Sequence, residues 1–133
     1  MILCSGVFDG LHAGHVAYLT AAMQFKQPGE ALVVAVAPDD YVRRTRLREP
    51  SWSLADRMLP LEAVRGVDGV LAHGVDGAAD AITALEPRLF VKGPDWRASG
   101  GVPGDVQDAC YLTGALVMFV DHPHRGHTSE VRR

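Results

Sequence analysis

The chain has 133 residues, 47% of them hydrophobic and 22% charged, with a formal net charge of -3. A chain of this length buries a real core without disulfide staples, and the near-average composition excludes both a disordered segment and a membrane-embedded protein. With no Lys/Arg-dense face over the whole chain, nucleic acid is not an expected partner, whereas a small anion needs only a local basic cluster.

The opening run Ile2-Leu3-Cys4 has neither a basic leader nor a small-residue cleavage site, and no apolar stretch reaches the length of a membrane span. The expectation is a protein that is neither secreted nor membrane-bound. Cys4 and Cys110 lack CxxC spacing, which fits a reducing cytoplasm.

Ile2 to Val7 and Glu30 to Ala37 read as strands buried on two faces. Between them Val16, Leu19, Ala22 and Met23 recur at helical spacing until Gln27-Pro28-Gly29 ends the segment, which makes a βαβ unit. Pro38-Asp39-Asp40 opens a further helix, and Arg43, Arg44, Arg46 and Arg48 crowd the stretch up to Glu49-Pro50. Ser53 caps a helix with Leu54, Met58, Leu61 and Val64 on its apolar face, and Asp56 supplies a loose variant of the capping box.

The alternation continues with a strand over Gly69 to Ala72, a helix over Gly77 to Leu85 and a strand over Leu89 to Val91, followed by Lys92 to Trp96 as a loop. After the Gly/Pro-rich Ser99 to Gly104 come a helix near Asp105 to Thr113 and a last strand over Ala115 to Val120. This order predicts one doubly wound, Rossmann-like α/β domain over residues 1–133 with a mainly parallel sheet.

Ligands of such sheets bind at the carboxyl ends of the strands, which singles out the loops 8–15, 92–97 and 121–129. In the first, Gly6-Val7-Phe8-Asp9-Gly10 leaves a buried strand and enters a helix, where unpaired N–H groups and the helix dipole favour a phosphate. Gly10 and Gly14 permit close backbone approach, and His12 and His15 bring two imidazoles to one side of the same anion. Neither GxxxxGK[ST] nor GxGxxG is present, so the histidine pair requires another explanation.

The segment GVFDGLHAGHVAYL closely resembles the signature of the HxGH nucleotidyltransferases, which include cytidylyltransferases, heptose-phosphate adenylyltransferases and FAD synthetases. The resemblance extends to Val34-Ala35-Val36, to Arg57 and to Val91-Lys92-Gly93-Pro94-Asp95-Trp96, the last being most similar to the heptose-phosphate adenylyltransferase branch. Gly126-His127-Thr128-Ser129-Glu130-Val131 is similar to the segment that opens the family's final helix, with His127 in place of a serine and only Val131, Arg132 and Arg133 to follow.

The resemblance implies attack by a phosphate oxygen of a phosphorylated small molecule on the α-phosphorus of ATP or CTP, with release of pyrophosphate. His12, His15 and Lys92 are then the expected catalytic groups. Gly6, Val7, Phe8, Asp9, Gly14, His15, Lys92, Gly93, Asp95, Trp96, Arg125, Thr128 and Ser129 are expected to hold the nucleotide. Arg46 and Arg48 are weaker candidates for phosphate or acceptor binding, and Arg57 either binds phosphate or pairs with an acid such as Glu62. Mg²⁺ is the implied cofactor, bound through the triphosphate and not through side chains. The segments 38–52 and 97–104 are expected to choose the acceptor, and a homodimer would place Trp52 at its interface.

Two other classes are weighed beside this one. A nucleotide-binding regulatory module that has lost turnover is suggested by the altered Thr128-Ser129 segment, and a metal-binding protein by His122, His124 and His127.

Overall fold

Three of the apolar runs become the centre of one sheet because their residues alternate between two buried layers. In the computed structural model, which describes residues 1–93 and 101–121, β1 spans Ile2–Gly6, β2 Leu32–Val36, β3 Gly69–Ala72, β4 Leu89–Lys92 and β5 Leu116–Phe119. The sheet order is β3-β2-β1-β4-β5, and every strand pairing among the described residues is parallel. Ile2, Cys4, Val34, Val36, Leu89 and Val91 face one core, while Leu3, Ala35 and Phe90 face the other. Period-two alternation with both sets apolar is what a parallel sheet covered on both faces demands.

Helices α1 (Ala13–Met23), α2 (Asp39–Arg46), α3 (Leu54–Glu62), α4 (Ala79–Leu85) and α5 (Gly104–Thr113) connect the strands. Leu19 and Ala22 of α1 and Leu61 of α3 join the first core, and Ile82 of α4 with Val106 and Ala109 of α5 joins the second. The doubly wound α/β architecture is therefore as expected. In α1, however, Val16 is 41% exposed and Tyr18 is buried in its place. None of these helices is long and apolar enough to cross a membrane.

The chain runs outward from β1 through β2 to β3 and then returns to place β4 on the other side of β1. That reversal is the topological switch point, where adjacent strands part and a crevice opens. The β1–β4 ladder stops at Cys4 and Val91. Just beyond it the Tyr18 hydroxyl accepts the Ser5 N–H at 3.2 Å and donates to the Val91 carbonyl. One phenol thus satisfies two buried backbone groups that would otherwise have lost their partners.

Candidate active site

At the mouth of that crevice β1 ends at Gly6, one residue before the expected boundary. The backbone then turns sharply, with Phe8 at a φ of 52°, a left-handed conformation that is costly for a bulky side chain. The ring of Phe8 is folded back over Gly6, where a β-carbon would meet it at 2.9 Å, so the close approach requires glycine. This packing leaves Phe8 buried and sets its ring 5.1 Å from that of His15.

His12 is the N-cap of α1, and the two histidines form a reciprocal capping box. His12 Nδ1 accepts the Gly14 N–H at 3.0 Å, and His15 Nδ1 accepts the His12 N–H at 3.2 Å. The pattern is that of the Ser/Thr-x-x-Glu/Gln box with imidazoles as acceptors. The rings stack with centroids 3.8 Å apart. Because each Nδ1 accepts a backbone hydrogen, the neutral tautomer of both rings carries its proton on Nε2, where it is a donor. The helix start thus holds two imidazole N–H groups beside its own amides, an arrangement suited to an anion.

Lys92 departs from the expected loop: it is the last residue of β4 and is 7% exposed. Its Nζ donates to the Ser5 carbonyl at 2.7 Å and to Ser5 Oγ at 3.2 Å, and it lies 5.9 Å from the Tyr18 ring. Tyr18 in turn stacks 6.5 Å from Phe8. The histidine pair and Lys92 therefore share one packed set of rings at the crevice. Beneath it, burial pushes the Cys4 thiol up to about 12, so this cysteine is an inert core residue.

The remaining basic candidates separate into different roles. Arg57 is fully buried, donating from Nε to the Trp52 carbonyl (2.9 Å), from one terminal nitrogen to the Val7 and Ala37 carbonyls (2.8 and 2.7 Å) and from the other to Asp39 (2.6 Å). Its acid is thus Asp39 and not Glu62, because the side chain points into the protein and ties the ends of β1 and β2 to α2. Asp9 accepts the Ser51 and Trp52 N–H groups (2.8 and 2.9 Å) and Arg48 (3.1 Å), which occupies both carboxylate oxygens within the 48–52 loop. These bonds hold the Asp9 carboxyl below its usual range against the opposing effect of burial. Arg46 makes no hydrogen bond or ion pair among the described residues and lines a cleft of about 230 Å³.

This cleft lies at the carboxyl edge of the sheet, between Ser5 to Val7, Lys92, α2 and the start of α5. Tyr41, Arg44, Thr45 and Arg46 line it from the expected 38–52 segment, but His73 and Asp76 after β3 were not anticipated. A polar residue directly after a strand, at the carboxyl edge, was the available signal. Gly93 and Gly14 belong to the described residues, with Gly14 buried in the first turn of α1. Asp95, Trp96, Arg125, Thr128 and Ser129, together with His122, His124 and His127, lie outside them.

Comparison with known proteins agrees with this architecture. The chain belongs to the cytidylyltransferase-like family, whose model matches residues 3–133. It is 42% identical over 106 residues to the bifunctional protein HldE of Coxiella burnetii (strain RSA 493 / Nine Mile phase I), covering 79% of this chain and 22% of that protein. It is 36% identical over 130 residues to the bifunctional protein HldE of Methylococcus capsulatus, covering 97% of this chain and 26% of that protein. The chain thus spans about a quarter of the length of the curated relatives it matches. A solved lipopolysaccharide core biosynthesis protein from Thermoplasma volcanium GSS1 shares the fold with a TM-score of 0.71 at 24% identity, over 92% of this chain and 94% of that one.

Proposed function

We propose that the chain transfers a nucleotidyl group from a nucleoside triphosphate to a phosphorylated sugar or polyol and releases pyrophosphate. The observation that carries this reading is the capping box of His12 and His15, which turns both Nδ1 atoms inward and leaves Nε2–H as the donor of each ring. Membership of the cytidylyltransferase-like family supports it.

In this reading the triphosphate lies at the start of α1 and the acceptor enters from the cleft lined by Arg46. An acceptor phosphate oxygen forms a bond to the α-phosphorus as the bond to the pyrophosphate oxygen breaks. A phosphomonoester carries close to two negative charges near neutral pH, its second pKa being about 6, so no dedicated base is required. The chain contributes orientation and charge stabilisation. His12 and His15 donate to the phosphates, Lys92 fixes the mouth of the crevice through Ser5 and adds positive charge, and Arg46 meets the acceptor phosphate. Asp95, Trp96, Arg125, Thr128 and Ser129 complete the nucleotide site in this proposal, by their resemblance to the family pattern.

The described residues contain no group of three or more His, Cys, Asp or Glu able to hold a metal ion. Mg²⁺ carried on the triphosphate, where it would offset phosphate charge, belongs to this proposal. ATP with a heptose-like sugar phosphate is the first pair to test, on the Val91-Lys92-Gly93-Pro94-Asp95-Trp96 resemblance, with CTP and a polyol phosphate next. One domain, a cytoplasmic setting and a homodimer through the exposed Trp52 belong to the same proposal.

The test is pyrophosphate release from each of the four NTPs with Mg²⁺ against phosphorylated sugars, polyols and FMN. A thermal-shift screen identifies the nucleotide first, since a ligand at 100 times its dissociation constant adds about 2.7 kcal/mol to the folded state. Binding of an NTP without pyrophosphate release from any acceptor would sink the proposal.

A further inference from the structure

The cleft holds one polar atom that the reaction as described does not use. His73 follows β3 directly, and its N–H donates to the Val36 carbonyl at 3.0 Å, which fixes the residue at the carboxyl edge of the sheet. The residue lines the cleft and is only 7% exposed. Tyr41 meets the ring edge-on, with centroids 5.0 Å apart and planes at 87°. Nδ1 lies 2.7 Å from the Gly74 carbonyl, an oxygen that can only accept, so Nδ1 carries a proton. Gly74 is itself fixed, since its N–H donates to Asp80 Oδ1 at 3.1 Å and a β-carbon there would meet the same carboxylate at 2.4 Å.

Burial holds the imidazole below its usual pKa, with smaller opposing and supporting contributions from neighbouring charges. The neutral ring with its proton on Nδ1 has a lone pair on Nε2. That nitrogen has no hydrogen-bond partner among the described residues. Buried polar atoms are almost always paired, so an acceptor in the wall of a cleft points to a donor on a ligand. The neighbours narrow the chemistry: Arg46 supplies positive charge for an anionic group, and Asp76 and Asp105 add acceptors suited to hydroxyls. A phosphate bearing several hydroxyl groups meets this set.

We propose that His73 is a specificity-determining residue, its Nε2 accepting a hydrogen bond from a hydroxyl of a phosphorylated polyhydroxy acceptor bound in the cleft. This rests on the nucleotidyl-transfer reading for the identity of the acceptor but not for its binding. A site built to pair a substrate hydroxyl rejects analogues that lack it far more strongly than an apolar pocket rejects a missing methylene.

The test compares the wild-type chain with His73→Phe, which keeps a ring against Tyr41, and His73→Gln, whose amide oxygen can stand near the position of Nε2. Each is assayed for pyrophosphate release and, by calorimetry with a non-hydrolysable NTP, for binding of a sugar phosphate and its monodeoxy series. In wild type, one monodeoxy analogue should lose roughly 100-fold in kcat/KM. His73→Phe should lose a similar factor with the parent sugar phosphate, mainly through KM, and almost nothing further with that analogue. His73→Gln should recover part of the loss, and the KM for NTP should stay unchanged throughout.

Identical acceptor preferences in wild type and His73→Phe, with pyrophosphate still released, would overturn the assignment and leave the transfer reading intact. So would a failure of wild type to bind any sugar phosphate in the calorimeter. If no pyrophosphate forms yet sugar-phosphate binding depends on His73, the transfer reading falls and the assignment stands. The monodeoxy series in wild type and the Gln variant keep the question decidable should His73→Phe fold poorly.

Discussion

The Tyr18 hydroxyl accepts the Ser5 N–H at the point where β1 and β4 cease to pair. Its own hydrogen goes to the Val91 carbonyl, so a single oxygen replaces a missing rung of the ladder. Tyr18→Phe removes that oxygen and leaves two buried backbone groups without a partner. The expected cost is about 1–3 kcal/mol, read as a lower urea midpoint with an unchanged slope. An unchanged midpoint would mean that the strands close the gap by themselves.

The two nitrogens of His12 can be separated by substitution. In His12→Asn the amide oxygen takes the place of Nδ1, so the cap on Gly14 is kept while the Nε2 donor is lost. This variant should unfold within a few tenths of a kcal/mol of wild type yet lose about 100-fold or more in turnover. His12→Gln reverses the trade, losing about 1 kcal/mol of stability with the cap while keeping an N–H near the Nε2 position and more of the activity. Equal activity in the two variants would separate His12 from the chemistry.

Arg57 binds three carbonyls and Asp39 from inside the protein. Arg57→Lys cannot reproduce the planar fork, and it strands polar groups at the ends of β1 and β2. Destabilisation of about 1–3 kcal/mol is expected by calorimetry, since buried carbonyls are left without a donor. Nucleotide affinity per folded molecule should change little; a selective loss of affinity in a stable variant would instead make Arg57 a ligand residue.

Acid sensitivity should concentrate at Glu30. Arg88 grips its carboxylate with two bonds of 2.7 and 2.8 Å, and this pairing holds the carboxyl far below its ordinary range despite burial. A carboxyl with a depressed folded pKa is protonated less readily in the native state, so the unfolded chain binds more protons and stability rises with pH. The contribution is full above the unfolded value of about 4.3 and is lost as the pH falls from there toward the folded pKa. Urea midpoints between pH 3 and pH 6 should therefore fall more steeply on acidification for wild type than for Glu30→Gln. Parallel curves would remove Glu30 as the source.

The strands were readable in the sequence because a parallel sheet needs apolar residues at successive positions, as in Leu32 to Val36. The histidine pair at the helix entrance was readable too, since a strand, a glycine turn and a helix start are all local. What escaped notice depends on partners distant in the chain. Lys92 reads as a loop residue by its charge, yet its bonds to Ser5 cross 87 positions and let it end a strand. Arg57 finds Val7 and Ala37 rather than the nearby Glu62. His73 looks ordinary until β3 brings it beside Tyr41, on a cleft that Lys92 also lines. Tyr18 takes the buried position that spacing assigned to Val16 because its hydroxyl has backbone groups to meet.

The division of the interior into two unconnected layers carries a consequence for how this protein tolerates change. α1 and α3 pack on one side of the sheet and α4 and α5 on the other. Substitutions more than about 7–10 Å apart without shared partners usually add within roughly 0.5 kcal/mol. The sheet thus works as a partition: repacking beneath α4 and α5 leaves the histidine entrance undisturbed, and one half can drift through many sequences while the other stands still.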